Sequence, residues 1–413
     1  MKKLLYFNNL HKLPNFGCRS TGKSLKNQLK AKFHIIEYDA IHSVLNSPGW
    51  DEFAENSIKF GGFIPYKFWN FIWRFRYKNK NLYHNFRKLD ALFGGNHDFI
   101  VNDDPRQSLI NFFKVKNKFS ELSELYERIL EVDLVCINGE GTFLISNKFN
   151  RDASYYFFII LLCRKLKKRI FLLNCMVDKY AFEEVEVNSI EFFIKYLAMF
   201  DGIMVRDYNS KFFLTENNLN NVEFCLDALF SWEVLFDDIQ LKRIKENPVN
   251  NKYILISGTS ASKFYEESIA EGYRKLIRHL KKIGIPIIIM ESCIGDRFLK
   301  KIAEENKLTY IGIESDIVDL YQYISNSYVF ISGRYHPTVV AMSQGIPCIS
   351  LKCNSNKMEN LQKIINNSNV FPTVLKEDDI NEIFLILKNI ISDYDDISTE
   401  ILKIINCKKI RIL

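Results

Sequence analysis

The sequence predicts an α/β protein in which two doubly wound, Rossmann-like domains face each other across a cleft. Short apolar strands alternate with helices in both halves of the chain, a rhythm that favours parallel sheets. At 413 residues the chain is too long for one comfortable core. A polar, charged stretch around Asp237–Lys252 separates the two alternating blocks. We therefore expect a ligand to bind in the cleft between two domains.

The first block opens with a strand–loop–helix–strand unit, which is typical of a parallel sheet. Strand Leu4–Phe7 is followed by a polar loop, a helix from about Ser24 and strand Phe33–Tyr38. Residues from about 40 to 105 break the rhythm and are interpreted as an insertion. The alternation then resumes, with helices expected over Gln107–Leu130, Ala153–Lys167 and Ser189–Phe200 and strands over Asp133–Asn138, Arg169–Asn174, Gly202–Val205 and Asn221–Cys225.

The second block alternates in the same way. Its expected strands are Tyr253–Ser257, Pro286–Met290, Thr309–Gly312, Tyr328–Ser332 and Pro347–Leu351. An amphipathic helix at about Asp378–Ser392 and the tail to Leu413 are expected to pack back across the first domain. The predicted units are an N-terminal domain (1–236), a linker (237–252), a C-terminal domain (253–390) and a C-terminal tail (391–413).

Composition narrows the class of protein. Hydrophobic residues make up 47% of the chain and charged residues 25%, which is ordinary for a well-packed globular protein. The formal charge of +7 is mildly basic. It suits phosphorylated or acidic substrates, or a position beside an anionic membrane surface, and falls short of a dedicated nucleic-acid binder. We expect no nucleic-acid partner.

Cysteine usage and apolar runs indicate the compartment. The nine cysteines are scattered without a CxxC pair, so we expect neither a zinc ribbon nor a disulfide framework, and a reducing cytoplasm. The apolar start of the chain stops at Asn8-Asn9, too early for a signal peptide. The longest apolar run, near Tyr155–Cys163, is about half a membrane span. We expect a cytoplasmic protein that is soluble or peripheral to the inner face of the membrane.

The segment from Asp316 to Lys357 is predicted to be a ligand-binding strand–loop–helix. A buried strand ends at Ser332-Gly333, where glycine permits a tight turn, and Arg334 and His336 follow at its carboxyl end. The free N–H groups of the next helix, a guanidinium and an imidazole together suit an anion and a proton transfer. The alternative is that His336 caps the helix and Arg334 pairs with a structural acid.

This segment resembles the C-terminal signature of the polysaccharide pyruvyl transferase family. The signature has a helix and a strand, an Arg-Leu-His step, a small-residue helix, Gly-x-Pro and a later Lys. The matching residues are Arg334-Tyr335-His336, Ala341-Met342-Ser343, Gly345-Ile346-Pro347 and Lys357. Three earlier stretches also resemble the family: Asn138-Gly139-Glu140-Gly141-Thr142-Phe143, with Glu140 in place of a usual Gly, Arg206-Asp207-Tyr208-Asn209-Ser210 and Asp227-Ala228-Leu229-Phe230. Order and spacing agree over roughly residues 130 to 360.

The resemblance implies a fold like that of the GT-B glycosyltransferases, with the acceptor on the N-terminal domain and the donor on the C-terminal domain. The implied reaction moves pyruvate from phosphoenolpyruvate to a saccharide, or a lipid-linked saccharide, as a ketal. Such an enzyme would serve surface polysaccharide or glycolipid assembly. The runner-up is a GT-B-like glycosyltransferase using a nucleotide sugar, and a non-catalytic scaffold is a third reading.

The donor carries a phosphate and a carboxylate, so the reaction needs cations and a proton carrier. Arg206 and Arg334 are the candidate anion ligands, and His336 is the candidate general acid. Asp227 or Glu140 would take the proton of a sugar hydroxyl. This chemistry demands no metal and no cofactor.

Four further residues are weaker candidates. Lys357 and Ser260 are predicted to bind the donor, and Asn15 and Arg19, on the loop after the first strand, to bind the acceptor. Structural alternatives remain open for the whole set: an Arg206–Asp207 ion pair, a turn at Glu140, a helix cap at Asp227 or Ser260, and a solvated Lys357.

Two other stretches have competing interpretations. Gly17–Ser24 fits the Walker A string, although Asn8–Phe16 separate it from the strand that a P-loop glycine follows directly. Aromatic residues alternate with Arg and Lys in Phe68–Lys80, which suits a membrane interface, a subunit contact or packing on the first domain.

Overall fold

The fold is taken from a computed structural model of the chain. It describes residues 1–7, 15–38, 101, 103–118, 120–147, 150–180, 184–249, 252–260 and 262–408. The predicted insertion and the stretch Phe68–Lys80 therefore lie almost wholly outside the described residues. Within these ranges, no helix is both long enough and apolar enough to cross a membrane.

The first six strands form one parallel sheet, which confirms the predicted fold class for this half. They are β1 (Lys2–Phe7), β2 (Phe33–Tyr38), β3 (Leu134–Ile145), β4 (Arg169–Lys179), β5 (Gly202–Val205) and β6 (Val222–Phe224). Their spatial order is β2-β1-β3-β4-β5-β6, so the chain changes direction of winding between β1 and β3. In such open sheets ligands bind at the carboxyl ends of the strands beside this switch point.

The last six strands form a second parallel sheet. They are β7 (Tyr253–Thr259), β8 (Ile287–Met290), β9 (Thr309–Ile311), β10 (Ser327–Gly333), β11 (Cys348–Leu351) and β12 (Val370–Phe371). The order β12-β11-β10-β7-β8-β9 is that of a Rossmann sheet read from its other edge, with the switch point between β7 and β10. Both halves are thus doubly wound, as predicted.

Helices cover both faces of each sheet. They are α1 (Phe16–Leu29), α2 (Pro105–Val115), α3 (Ser120–Glu131), α4 (Arg151–Lys165), α5 (Val187–Leu197), α6 (Tyr208–Glu216), α7 (Asp238–Lys245), α8 (Ser262–Leu280), α9 (Phe298–Asn306), α10 (Ile317–Ser325), α11 (Tyr335–Ser343), α12 (Lys357–Ile364), α13 (Glu377–Ser392) and α14 (Tyr394–Lys408). Strands buried on both faces are rich in apolar residues, as in the Tyr253-Ile254-Leu255-Ile256 start of β7.

A core shared by the two halves fixes how the sheets meet. A 3₁₀ helix, Ala228–Leu235, leaves the first sheet and packs Leu229, Phe230 and Trp232 against residues of α10 and α11. Trp232 and Tyr321 lie with ring centroids 5.3 Å apart. Burying aromatic side chains between the two halves makes their relative position a consequence of apolar packing.

Helix α1 begins earlier than the sequence suggests. The polar loop was expected to run to about Ser24, but the helix already starts at Phe16. Phe16 is fully buried in the shared core and its ring lies 4.9 Å from that of Tyr321, so tertiary packing extends the helix. The Walker-A-like residues Gly17–Ser24 are therefore helical. Most of their N–H groups bond within the helix and form no phosphate-binding loop.

Two other boundaries differ from expectation. The single helix predicted over Gln107–Leu130 is two helices, α2 and α3, and the Ser123 hydroxyl donates to the Lys116 carbonyl at the break (2.7 Å). The predicted linker contains α7, which starts with a capping box between Asp237 and Gln240. Its Arg243 forms an ion pair with Asp319 of α10, so this stretch is held against the second half.

The end of the chain packs on the second half. Ile401 and Ile405 of α14 are buried in the shared core, and a side chain added at Gly345 would collide with Leu402 and Ser398. At the end of α14, the Lys408 ammonium lies 5.7 Å from the ring centre of Tyr208 in the first half.

Polar contacts complete the junction between the halves. The Phe16 N–H donates to the Ser292 carbonyl (2.9 Å), and Arg19 Nη2 donates to the Ile313 carbonyl (3.1 Å). On the opposite side, Asn360 Nδ2 donates to Asp207 Oδ1 (3.1 Å). These contacts bring the carboxyl edge of one sheet opposite that of the other.

Candidate active site

The carboxyl ends of β5 and β10 bring together the residues that the sequence singled out. Arg206 follows β5 directly, and Arg334 follows β10 and precedes α11. Because parallel strands end at a common edge, residues distant in sequence meet there. Arg206 and His336, 130 positions apart, are in direct contact.

Arg206, Asp227 and His336 form a buried triad. Arg206 Nη1 donates to Asp227 Oδ2 (2.9 Å) and lies 3.2 Å from His336 Nε2. The side chains of Arg206 and Asp227 are 3% and 0% exposed, and that of His336 is 16% exposed. The Arg206 guanidinium also lies over the Tyr335 ring, 4.3 Å from its centre. The site is therefore largely dry, which strengthens each charge.

The protonation state of His336 follows from its neighbours. A guanidinium has only donors, so the contact with Arg206 requires an unprotonated Nε2. Burial lowers the pKa of His336 well below its ordinary value, and the charges of Arg206 and Lys357 lower it further. The resting imidazole is neutral.

Gly17 makes room for the His336 ring. A Cβ built at Gly17 would lie 2.0 Å from His336 Nδ1, so only glycine permits this approach between α1 and α11. Gly17 of the Walker-A-like string thus contributes to this site by leaving space for the imidazole ring.

Arg334 is held by a second buried carboxylate, as the structural alternative foresaw. Its Nε lies 3.0 and 3.2 Å from the two oxygens of Asp296, and its Nη2 lies 2.7 Å from Oδ1. Asp296 is fully buried and also accepts from the Ser292 N–H (3.0 Å). A Cβ at Gly258 would lie 1.8 Å from Asp296 Oδ1, so the absent side chain of that glycine makes room for the carboxylate.

Glu140 lies near the same triad. It is 4% exposed, and its Oε1 accepts from Asn138 Nδ2 (2.9 Å). Burial raises the pKa of Glu140 to about 8, with Arg206 opposing the shift and Asp227 adding to it. Its φ of 42° lies in the left-handed region, which ordinary residues rarely adopt.

Lys357 and Ser260 meet at Asn354. Lys357 Nζ and Ser260 Oγ each donate to Asn354 Oδ1, both at 2.9 Å. Burial lowers the pKa of Lys357, and the charges of Arg334 and Arg206 lower it further, so the three cations share one region. Lys357 is half-buried, so it is not simply a solvated side chain.

The two predicted acceptor residues lie at the start of α1. Asn15 Oδ1 accepts from the Gly17 N–H (2.9 Å), and the Asn15 backbone pairs with Cys293 of the second half. Arg19 uses Nη2 on the Ile313 carbonyl, and its Nε is buried with no protein partner among the described residues. Both residues therefore join the two halves.

Several polar residues of the site make contacts that the sequence did not predict. Asp207 caps α6 through Ser210, and Arg206 pairs with Asp227 instead of its neighbour. Asn174 links Thr21 of α1 to the Ala228 N–H. Asp296 lies in the segment after β8, which β7 separates from β10 in the sheet, and nothing in its own sequence neighbours marks it.

The fold belongs to the GT-B class of two-domain enzymes. A UDP-GlcNAc 2-epimerase from Neisseria meningitidis bound to UDP-GlcNAc superposes with a TM-score of 0.51 at 13% identity, over 97% of this chain and 94% of that one. The Methanocaldococcus jannaschii UDP-GlcNAc 2-epimerase superposes with a TM-score of 0.51 at 11% sequence identity, over 92% of this chain and 91% of that one. OtsA in its apo form superposes with a TM-score of 0.52 at 11% sequence identity, over 98% of this chain and 95% of that one. At these identities the likeness shows the fold alone.

The family is narrower than the fold. Residues 15–355 match the model of the polysaccharide pyruvyl transferase family. The chain belongs to that family and is a transferase, as the motifs around Arg334 and His336 indicated. No curated protein matches it by sequence.

Proposed function

We propose that this transferase moves pyruvate from phosphoenolpyruvate onto two hydroxyls of a saccharide as a ketal and releases inorganic phosphate. The observation that carries the proposal is that three cations, Arg206, Arg334 and the half-buried Lys357, share the region of His336 in a member of this family. Because the donor bears a phosphate and a carboxylate, it needs several cations in one place.

The two arginines suit different parts of that task. Asp296 engages Nε and Nη2 of Arg334 and so fixes the direction of the guanidinium. In Arg206, Nε is buried without a protein partner among the described residues, which leaves a donor for an anion. Preorganised donors in a dry site stabilise the charge that develops on a departing phosphate.

His336 handles the proton of the leaving phosphate. The resting imidazole is neutral, and a bound anionic donor raises its pKa by favouring the charged form. It then takes up a proton from a sugar hydroxyl and passes it to the phosphate. Asp227 keeps Arg206 in place, since its Oδ2 accepts from Arg206 and its Oδ1 from the Leu229 N–H (2.9 Å).

The acceptor lies towards the start of α1, beside Asn15 and Arg19. We propose a saccharide or lipid-linked saccharide of surface polysaccharide or glycolipid assembly. A lipid-linked acceptor would place the enzyme at the inner face of the membrane, where a net charge of +7 favours an anionic surface.

Ligand-induced thermal stabilisation tests the donor. A ligand at about 100 times its Kd adds about 2.7 kcal/mol to stability. We expect phosphoenolpyruvate to raise the Tm, and the shift to disappear in Arg334→Ala but persist in Arg164→Ala, which disrupts a surface pair with Asp201. A shift with UDP-, GDP- or CMP-sugars and none with phosphoenolpyruvate would refute the proposal.

A further inference from the structure

The backbone of Glu140 is strained where glycine would not be. Its φ of 42° falls where β3 changes register against β4. In this region the Cβ of an ordinary residue crowds its own backbone, whereas glycine adopts it readily. Gly139 and Gly141 flank the position. Strain retained beside a buried charged site indicates that the carboxyl group itself has a role there.

The surroundings of Glu140 leave one oxygen available. Oε1 accepts from Asn138, while Oε2 makes no hydrogen bond to any residue that the structure describes. Among the residues that the structure describes, the titratable groups that face the carboxyl are Arg206, Asp227 and Tyr6. Tyr6 stays neutral because burial raises its pKa well above the ordinary value, and its hydroxyl donates to the Gly22 carbonyl (3.0 Å).

The other two candidate proton carriers, His336 and Asp227, both act as hydrogen-bond acceptors in this site. The Arg206 contact requires a lone pair on His336 Nε2, and both oxygens of Asp227 accept from N–H donors. The carboxyl of Glu140, with its pKa raised to about 8 by burial, is protonated at neutral pH. The resting site therefore stores its proton on Glu140.

We propose that Glu140 protonates the methylene carbon of the bound enolpyruvyl group, a step that rests on the proposed function. The Glu140 proton forms the new C–H bond of the methyl group as an acceptor oxygen bonds to the neighbouring carbon. The proton of that hydroxyl returns to the Glu140 carboxylate. The second hydroxyl then displaces phosphate, and its proton leaves with the phosphate through His336. One phosphoenolpyruvate and one diol thus give one ketal and one inorganic phosphate.

The test uses Glu140→Gln and Glu140→Gly in the full chain. Phosphate release from phosphoenolpyruvate is followed with p-nitrophenyl glycosides of galactose, mannose and glucose as acceptors. We expect Glu140→Gln to bind phosphoenolpyruvate like the wild type at pH 7 and to release phosphate about 10²- to 10⁴-fold more slowly. Glu140→Gly should be equally slow with a Tm no lower than that of the wild type, because it removes strain.

A second measurement needs no acceptor. Titration calorimetry of phosphoenolpyruvate from pH 6 to 9.5 should show wild-type affinity falling above about pH 8, since the ionised carboxylate repels the anion. In Glu140→Gln this fall should be absent.

The control is Lys167→Gly. Lys167 is exposed, follows α4 and has a φ of 55°, so the change relieves similar strain away from the site and should leave phosphate release unchanged. Wild-type release by Glu140→Gln would overturn the proposal. If none of the glycosides is accepted, identical pH dependence of binding in the two proteins overturns it instead. No binding of phosphoenolpyruvate at any pH would reject the proposed function itself.

Discussion

Two buried arginine–carboxylate pairs stand at the edges of the two sheets, and they differ in how fully the guanidinium is used. Arg334 gives Nε and Nη2 to Asp296 in three contacts. Arg206 gives only Nη1, shared between Asp227 and His336, and its Nε is buried without a partner in the described part of the chain.

The difference separates a fixed cation from an adaptable one. A bidentate pair defines both the position and the plane of the guanidinium. A buried donor without a partner is costly unless a ligand meets it. We infer that Asp296 holds Arg334 as a cation of fixed direction, and that Arg206 has the greater capacity to respond to a bound anion.

The largest effect is expected from breaking the Arg206 pair. Arg206→Met leaves Asp227 buried and unpaired, which should lower the free energy of unfolding by about 3–5 kcal/mol. Urea unfolding measures the loss. The double variant Arg206→Met/Asp227→Asn should recover much of the stability and none of the phosphoenolpyruvate-induced Tm shift. Equal loss in the single and double variants would mean that the pair is not coupled.

Neutralising the other pair should cost less. Asp296→Asn keeps the shape of the side chain and weakens the hold on Arg334, with an expected loss of about 1–3 kcal/mol and weaker phosphoenolpyruvate binding by calorimetry.

Asp201→Asn is the matched control for that change. Asp201 also pairs with an arginine, Arg164 (3.1 Å), and accepts a backbone N–H, that of Ile170 (2.6 Å), but it is far more exposed. The Asp201→Asn variant should lose about 1 kcal/mol or less of its free energy of unfolding, and its binding of phosphoenolpyruvate should be unchanged. Comparable binding losses in both variants would contradict a role for Asp296 in positioning Arg334.

A smaller change tests the steric support of the Arg206 triad. Gly17→Ala places a methyl group 2.0 Å from His336 Nδ1, so either the ring or α1 must shift, at a cost of about 1–3 kcal/mol. We expect the rate of phosphate release to fall by more than the loss of folding stability alone would cause. Gly141→Ala, whose Cβ meets nothing within 4 Å, should change stability little. Full activity in Gly17→Ala would show that the ring position is not critical.

The last test concerns the pH dependence of stability. Glu140 has a folded pKa of about 8, above its unfolded value, so between these values the folded state binds more protons than the unfolded state. Its contribution to stability is present below the unfolded pKa and declines as pH rises to about 8. Denaturant unfolding from pH 4 to 9 should show a shallower alkaline decline in Glu140→Gln. Parallel curves would place the carboxyl in an ordinary environment.

Much of the site was readable from local pattern. Gly333-Arg334-Tyr335-His336 joins a buried strand to a helix, so its position at the carboxyl edge of the sheet follows from the alternation of strands and helices alone. Asp227 was expected either to act chemically or to cap a helix. Its Oδ1 caps the 3₁₀ helix at Leu229 while its Oδ2 holds Arg206.

Other features depend on contacts between distant residues. Helix α1 starts at Phe16 because the ring is buried against Tyr321, which no local signal near Gly17 could show. Asp296 lies 38 positions from Arg334, and the space it occupies depends on Gly258.

The sequence by itself determined the α/β class, the two doubly wound halves and the family, because strand and helix periods and short motifs are local. Only the tertiary structure decided which carboxylate holds which arginine, and that burial lowers the pKa of His336 and raises that of Glu140. Those properties arise from burial and from the charges of neighbours brought together by folding, and both depend on distances that sequence separation does not contain.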